Sequence, residues 1–243
     1  MWINLIPKVI YYAWFGKKNK PVEVCERIEK WGELNPTFSI VEINETNFDV
    51  KSMKFTSEAY DLKKWAFVSD VARLEVIYNN GGIYFDTDVD ILKPIDDLLQ
   101  HEIFFAKESP ANVATGLGFG AEKHNKFLGE MLDFYKVKRF DEASPLLTTD
   151  AVTEKLRCRG LSDYDVYQVL DNKIVIYPTN IFAPLHFFGG GKIKDESIAV
   201  HRYQGSWVSQ NDNLFNKVRA QVILRLNFYA PVIRVIKQKM RRT

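Results

Sequence analysis

The chain has 243 residues, 46% of them hydrophobic and 26% charged. That composition suits one substantial soluble core and excludes collagen, a coiled coil and wholesale disorder. The net charge of +2 hides an asymmetry: residues 214–243 carry eight basic side chains and no acidic one, so the remaining body is net acidic. A general nucleic-acid binder carries its positive charge on the folded body, so nucleic acid is not an expected partner. Cys25 and Cys158 stand far apart and suggest neither a disulfide framework nor a zinc cluster. Lys8 interrupts the first apolar run, so no secretory signal is expected, and no stretch of about 18 uncharged apolar residues occurs. Reduced thiols and a cytoplasmic setting follow as expectations.

Residues 7–15 (PKVIYYAWF) predict a buried strand ended by Gly16, and Pro21 opens a helix over 22–31. Residues 37–43 alternate as a second strand, and a β-α-β start favours a parallel sheet covered by helices. From Ser57 to Asn79 apolar residues recur at helical spacing, and the run stops at Asn79-Asn80-Gly81-Gly82. A short strand, Ile83-Tyr84-Phe85, then leads into Asp86-Thr87-Asp88-Val89-Asp90. Strands are predicted over 102–107 and 173–177, a helix over 121–137, and a long loop over 181–205.

In extended backbone alternate side chains share a face, so Asp86, Asp88 and Asp90 are expected to point together, with Tyr84 beside them. Three like charges on one face repel unless a cation sits among them, and oxygen ligands suit Mg²⁺ or Mn²⁺. The end of a strand in an open α/β sheet is where such sheets bind ligands. An EF-hand is excluded, because Ile91 stands where its loop needs glycine. The run Gly116-Leu117-Gly118-Phe119-Gly120-Ala121 matches a dinucleotide fingerprint but lacks a strand immediately before it.

The stretch 67–90 carries Ser69, Asp70, Arg73, Gly81, Gly82, Tyr84, Asp86 and Asp88 in the pattern S-D-x-x-R, helix, G-G-x-Y, D-x-D. This resembles the DXD-containing sugar transferases of glycosyltransferase family 32 and, more distantly, the catalytic core of the clostridial glucosylating toxins. Three flanking segments resemble the same family in the same order: Ile6 to Gly16, with Tyr11 where the family usually has histidine; Tyr177 to Pro184; and His201 to Trp207. The resemblance covers about residues 5–208.

It implies an α/β fold of the GT-A type, a nucleotide-diphospho-sugar transferase with a mostly parallel central sheet flanked by helices. It further implies a divalent ion, Mn²⁺ or Mg²⁺, held by Asp86, Asp88 and His201 against the donor diphosphate. Asp70 and Arg73, three apart on one helix face, are implied to meet donor-sugar hydroxyls and phosphate and to be catalytic together with Asp86 and Asp88. Trp14 is implied to stack on the donor base, Tyr84 to reach the site, and Ser206 and Trp207 to lie on the loop closing over the diphosphate. The implied reaction is retaining transfer of a hexose from a UDP-sugar, or alternatively GDP-mannose, to a glycan or lipid-linked oligosaccharide, as in capsule and other surface polysaccharide synthesis. A non-catalytic metal- or glycan-binding module on a degenerate scaffold is the rival expectation.

The domain is expected over 1–210, followed by a basic amphipathic segment over 211–243. There Leu214, Val218, Val222, Ile223 and Leu226 recur at near-helical spacing among the cationic residues. Such a segment suits peripheral contact with an anionic membrane, at the cytoplasmic face of an inner membrane.

Overall fold

A computed structural model of the chain describes residues 5–185 and 190–203. Ser206, Trp207 and the basic segment 211–243 lie outside the described residues. In chain order the elements are β1 (Val9–Ala13), α1 (Val22–Leu34), β2 (Ser39–Ile43), α2 (Lys54–Asp61), α3 (Trp65–Asn80), β3 (Gly82–Tyr84) and β4 (Val89–Ile91). A 3-10 turn (Asp96–Gln100) leads to β5 (Ile103–Ser109), β6 (Asn112–Val113), β7 (Phe119–Ala121), α4 (Lys126–Lys136) and α5 (Thr148–Arg157). Then follow β8 (Gln168–Leu170), β9 (Ile174–Tyr177), α6 (Thr179–Phe182) and β10 (Ala199–His201).

The central sheet runs β2-β1-β3-β7-β5-β9-β8, with β6 paired to β5. The β1–β2, β1–β3 and β5–β9 pairs are parallel, while β7 is antiparallel to both β3 and β5. The strands β1, β2, β3, β5 and β9 therefore share one direction, which is the mostly parallel α/β sheet expected. Their carboxyl ends lie along one edge, the usual ligand side of such sheets.

Side chains alternate faces along each strand and build two cores. Ile103 and Phe105 of β5 join Val68, Leu74, Phe127 and Val152 on the face covered by α2 to α5. Phe104 and Ala106 join Trp31, Phe85, Val89, Phe182 and Ala199 on the face covered by α1 and a small antiparallel sheet of β4 and β10. Each fully buried aromatic contributes about 1.5–3 kcal/mol. Trp31 also directs the fold: its indole donates to the Val89 carbonyl at 3.0 Å, tying α1 to β4.

Several expectations are corrected. The apolar run 57–79 is not one helix: Lys63 has φ +58°, Lys63 N–H bonds the Tyr60 carbonyl, and Leu62 is left exposed between α2 and α3. The helix expected over 121–137 starts later, because residue 121 still belongs to β7 and the Asn125 side chain caps α4 by accepting from Phe127 N–H. The loop expected over 181–205 contains β10, which pairs with β4. At the end of α3, Gly81 takes φ +70°, and a side chain there would strike Pro7, so the Gly-Gly terminator is required twice over. Among the described residues no helix is long and apolar enough to cross a membrane.

Candidate functional site

The site forms where β3 ends. The backbone does not stay extended through the acidic run: Val89 N–H bonds the Asp86 carbonyl, making a turn at residues 87–88. The expectation that three carboxylates share one strand face is therefore wrong in mechanism and in number. The turn brings Asp86 and Asp88 together, whereas Asp90 on β4 lies between Arg27 and Arg202, at 2.7 and 2.6 Å. Arg27 also donates to the Thr87 carbonyl at 2.7 Å, and Arg202 N–H donates to the Asp88 carbonyl at 2.9 Å. Asp90 is thus the anchor of the turn that presents the other two acids.

β10 delivers His201 to the same place. Its Nε2 lies 3.0 Å from Asp88 Oδ1, and ligand atoms of Asp86, Asp88 and His201 all fall within 4.8 Å of one another. His201 Nδ1 is buried and finds no hydrogen-bond partner among the described residues. Two carboxylates and an imidazole, half-buried and convergent, fit a hard divalent ion such as Mn²⁺ or Mg²⁺. Burial disfavours the imidazolium, but the hydrogen bond and charge of Asp88, with Asp86 and Glu108, outweigh it and hold His201 above its ordinary value. Tyr203, in the left-handed region at φ +52°, packs edge-on against His201 with ring centres 4.2 Å apart.

Arg73 of α3 organises the opposite side. Its Nη2 lies 2.8 Å from Asp70 Oδ1 and 3.4 Å from Asp86 Oδ1, and Nε donates to the Ser69 carbonyl. The guanidinium stacks over the Tyr84 ring at 4.6 Å, and Tyr84 OH donates to Asp86 Oδ1 at 2.9 Å. Arg73 is buried, and Asp70 is partly exposed. Burial raises the Asp70 carboxyl against the pull of Arg73, with Asp86 adding to the rise and a hydrogen bond from Thr148 opposing it. Burial also lifts the Tyr84 phenol far above its usual range, so it stays a neutral donor.

Trp14 follows β1 on the same sheet edge. Its indole donates to the Lys18 carbonyl at 2.7 Å, and the ring borders an open cleft of about 330 Å³ with Lys17, Lys18, Lys20, Glu42 and Asn44.

Two site residues escape sequence reasoning. Gly116 N-terminal to β7 gives its carbonyl to Asp86 N–H, and a Cβ at that position would overlap Asp86 Oδ2. The glycine run that mimics a nucleotide fingerprint is therefore a close-approach device against the acidic turn. Glu108 near the end of β5 is raised by burial, with His201 lowering it and Asp86 and Asp88 raising it, which sets a further carboxyl against the cluster. No local pattern pointed to it, because the β5–β6 register shifts between Lys107 and Ser109.

Residues 21–105 match a family model described as a glycosyltransferase sugar-binding region containing the DXD motif. The chain is 27% identical over 152 residues to inositol phosphoceramide mannosyltransferase 3 of Schizosaccharomyces pombe, covering 59% of this chain and 41% of that protein. It is 34% identical over 82 residues to human alpha-1,4-N-acetylglucosaminyltransferase, covering 33% of this chain and 22% of that protein. The chain thus spans about two fifths or less of the length of these curated relatives. Among solved structures, the PaToxG glycosyltransferase superposes with a TM-score of 0.52 at 19% identity, over 63% of this chain and 68% of that one. The fold is shared with a glycosyltransferase, and the resemblance to family 32 transferases extends to the DXD region as a whole.

Proposed function

We infer that this chain, carrying a DXD sugar-binding region on a glycosyltransferase fold, is a glycosyltransferase, and we propose that it moves a hexose from a nucleotide sugar with retention of configuration. A UDP-sugar is the favoured donor, GDP-mannose the alternative, and a glycan or lipid-linked oligosaccharide of a surface polysaccharide the acceptor. The observation that carries this reading is the convergence of Asp86, Asp88 and His201 beside Arg73 on the sheet edge that also bears Trp14.

In this reading Asp86, Asp88 and His201 would hold Mn²⁺ or Mg²⁺, which would supply positive charge against the departing diphosphate. Arg73 keeps Asp86 in place from behind, and Tyr84 OH fixes which Asp86 oxygen faces inward. The Trp14 ring offers its face to the base, and Lys17, Lys18 and Lys20 border that cleft with positive charge. The bond from the anomeric carbon to the diphosphate oxygen breaks with its electron pair leaving on the diphosphate. A bond from the acceptor oxygen forms, and the acceptor proton passes to the departing diphosphate. The basic segment 211–243 is read as a peripheral contact with an anionic membrane, holding the domain over 1–210 near lipid-linked acceptors at a cytoplasmic face.

Incubation of the full chain with a panel of UDP- and GDP-sugars and Mn²⁺, with and without chelator, tests the reading through nucleotide release. Release from one donor, abolished by chelator, supports it and names the sugar. No release from any donor, together with no Mn²⁺-dependent nucleotide binding, overturns it in favour of a non-catalytic binding module.

A further inference from the structure

Directly after Trp14 and Phe15 the backbone makes a tight turn in which two consecutive residues are left-handed, Gly16 at φ +92° and Lys17 at φ +58°. A lysine keeps that conformation only where its surroundings over-determine it. Trp14 is fixed at both ends of this turn. Its backbone N–H bonds the Ile43 carbonyl at 2.9 Å, and its indole donates to the Lys18 carbonyl at 2.7 Å. The indole N–H is thereby engaged within the turn, and what the ring offers a ligand is its face. Beside it Phe15 turns inward onto Phe48, with ring centres 6.0 Å apart.

One carboxylate holds the middle of the turn. Glu45 Oε1 accepts from Gly16 N–H at 2.8 Å and from Tyr60 OH at 3.0 Å. Glu45 projects from a braced turn beyond β2, where Asn44 Oδ1 accepts from Thr46 N–H at 2.8 Å and Asn44 N–H donates to Asn47 Oδ1 at 2.9 Å. Burial raises the Glu45 carboxyl, but hydrogen bonds from Gly16, its own backbone N–H and Tyr60, with the charge of Lys17, outweigh it and hold the group below its ordinary value. Tyr60 lies in the last turn of α2 and Trp65 opens α3. With the left-handed break at Lys63 between them, the two rings meet edge to face at 5.0 Å. The Trp65 ring packs so closely on Gly16 that a Cβ there would stand 2.8 Å from it. One ring therefore walls the turn, and the other gives its hydroxyl to the carboxylate that holds Gly16.

We propose that Glu45 is a positioning residue of the donor site, acting through Gly16 to hold the Trp14 ring as a platform for the nucleobase, with Tyr60 and Trp65 bracing it. The inference rests on the transferase reading and adds the group that pre-organises its base half. Glu45 and Trp14 border the same cleft of about 330 Å³. A platform ordered before the ligand arrives spares the ligand the cost of ordering it. The effect of Glu45 should therefore fall on ligands that carry a base and leave the diphosphate half, at Asp86, Asp88 and His201, untouched.

Calorimetry on the full chain with Mn²⁺ separates the two halves, with UDP, GDP and inorganic pyrophosphate as probes. The nucleotide that binds is expected to lose affinity about tenfold in Trp14→Ala and about fivefold in Glu45→Ala. Pyrophosphate affinity should stay unchanged in both. Glu45→Gln keeps an oxygen that accepts from Gly16 and Tyr60, so its nucleotide affinity should stay within about twofold of the unaltered chain. The double variant Trp14→Ala/Glu45→Ala should lose no more than Trp14→Ala, because no ring remains to be positioned. Unchanged nucleotide affinity in Glu45→Ala overturns the inference, as does an equal loss for pyrophosphate or a double-variant loss that multiplies the two single ones. A loss in Glu45→Gln as large as in Glu45→Ala also overturns it, since charge would then matter in place of the hold on Gly16. Binding of pyrophosphate but of neither nucleotide removes the base platform and leaves the metal cluster standing. If none of the three probes binds, the transferase reading falls first and takes this inference with it.

Discussion

Arg27 on α1 donates its Nε to Asp90 Oδ1 across 2.7 Å, and through that contact the helix packed beneath the small sheet sets the position of a turn it never touches with a ligand atom. The same guanidinium reaches the Thr87 carbonyl, between Asp86 and Asp88 of the acidic turn. Replacing Asp90 by alanine leaves Arg27, 10% exposed, without its carboxylate, at a cost of about 1–3 kcal/mol. Thermal unfolding should register that loss, and calorimetry should show Mn²⁺ affinity reduced about tenfold although no ligand has been removed. Unchanged Mn²⁺ affinity in Asp90→Ala would separate the anchor from the site.

Gly116→Ala places a methyl group where Asp86 Oδ2 now lies. Circular dichroism should remain that of the folded chain, because the displaced group is one side-chain terminus. Mn²⁺-dependent nucleotide binding should fall at least as far as in Asp86→Ala. Retention of binding would mean that Asp86 has room to move and that the close approach is incidental.

Arg73 is nearly buried between Asp70 and Asp86, so Arg73→Met leaves two facing carboxylates without their cation. Breaking such a pair costs about 3–5 kcal/mol, and the melting temperature should drop accordingly. Arg73→Lys should recover part of the stability but not the nucleotide-release rate, since an ammonium cannot reach Asp70, Asp86 and the Ser69 carbonyl together. Equal rates in the lysine variant would reduce Arg73 to a point charge.

The pH dependence follows from His201, whose imidazole titrates above 6.5 because Asp88, Asp86 and Glu108 outweigh the effect of burial. A ligating imidazole must be deprotonated, so Mn²⁺ affinity should fall as pH drops through that raised value. For the metal-free chain the sign reverses. The imidazolium–Asp88 pair contributes stability that is fully present below pH 6.5 and is lost as pH rises through the folded value. Melting temperatures from about pH 5 to about pH 8, with and without Mn²⁺, should therefore diverge as pH rises. Parallel curves would remove His201 from the metal set.

The sequence carried what local periodicity can carry. The apolar run of β1, the alternation in β2, the Pro21 start of α1 and the Gly-Gly stop of α3 are short-range and were legible, as was the three-residue spacing that puts Asp70 and Arg73 on one helix face. What stayed hidden depends on partners distant in the chain. Asp90 leaves the acidic cluster because Arg27 and Arg202 hold it, and neither can be inferred from a D-x-D-x-D spacing. Lys63 breaks the long apolar run in a left-handed conformation that helical periodicity does not forbid. Gly116 and Glu108 belong to segments whose placement beside Asp86 and His201 exists only once β5 and β7 have joined the sheet.

The most direct measurement is a calorimetric titration of UDP, and separately GDP, into the full chain with Mn²⁺, with chelator, and with Asp88→Asn in place of the unaltered chain. Tight binding of one nucleotide that requires Mn²⁺ and is lost in Asp88→Asn is the expected result. Nucleotide binding of equal strength in all three conditions, or none in any, would contradict a metal-dependent nucleotide-sugar site at Asp86, Asp88 and His201.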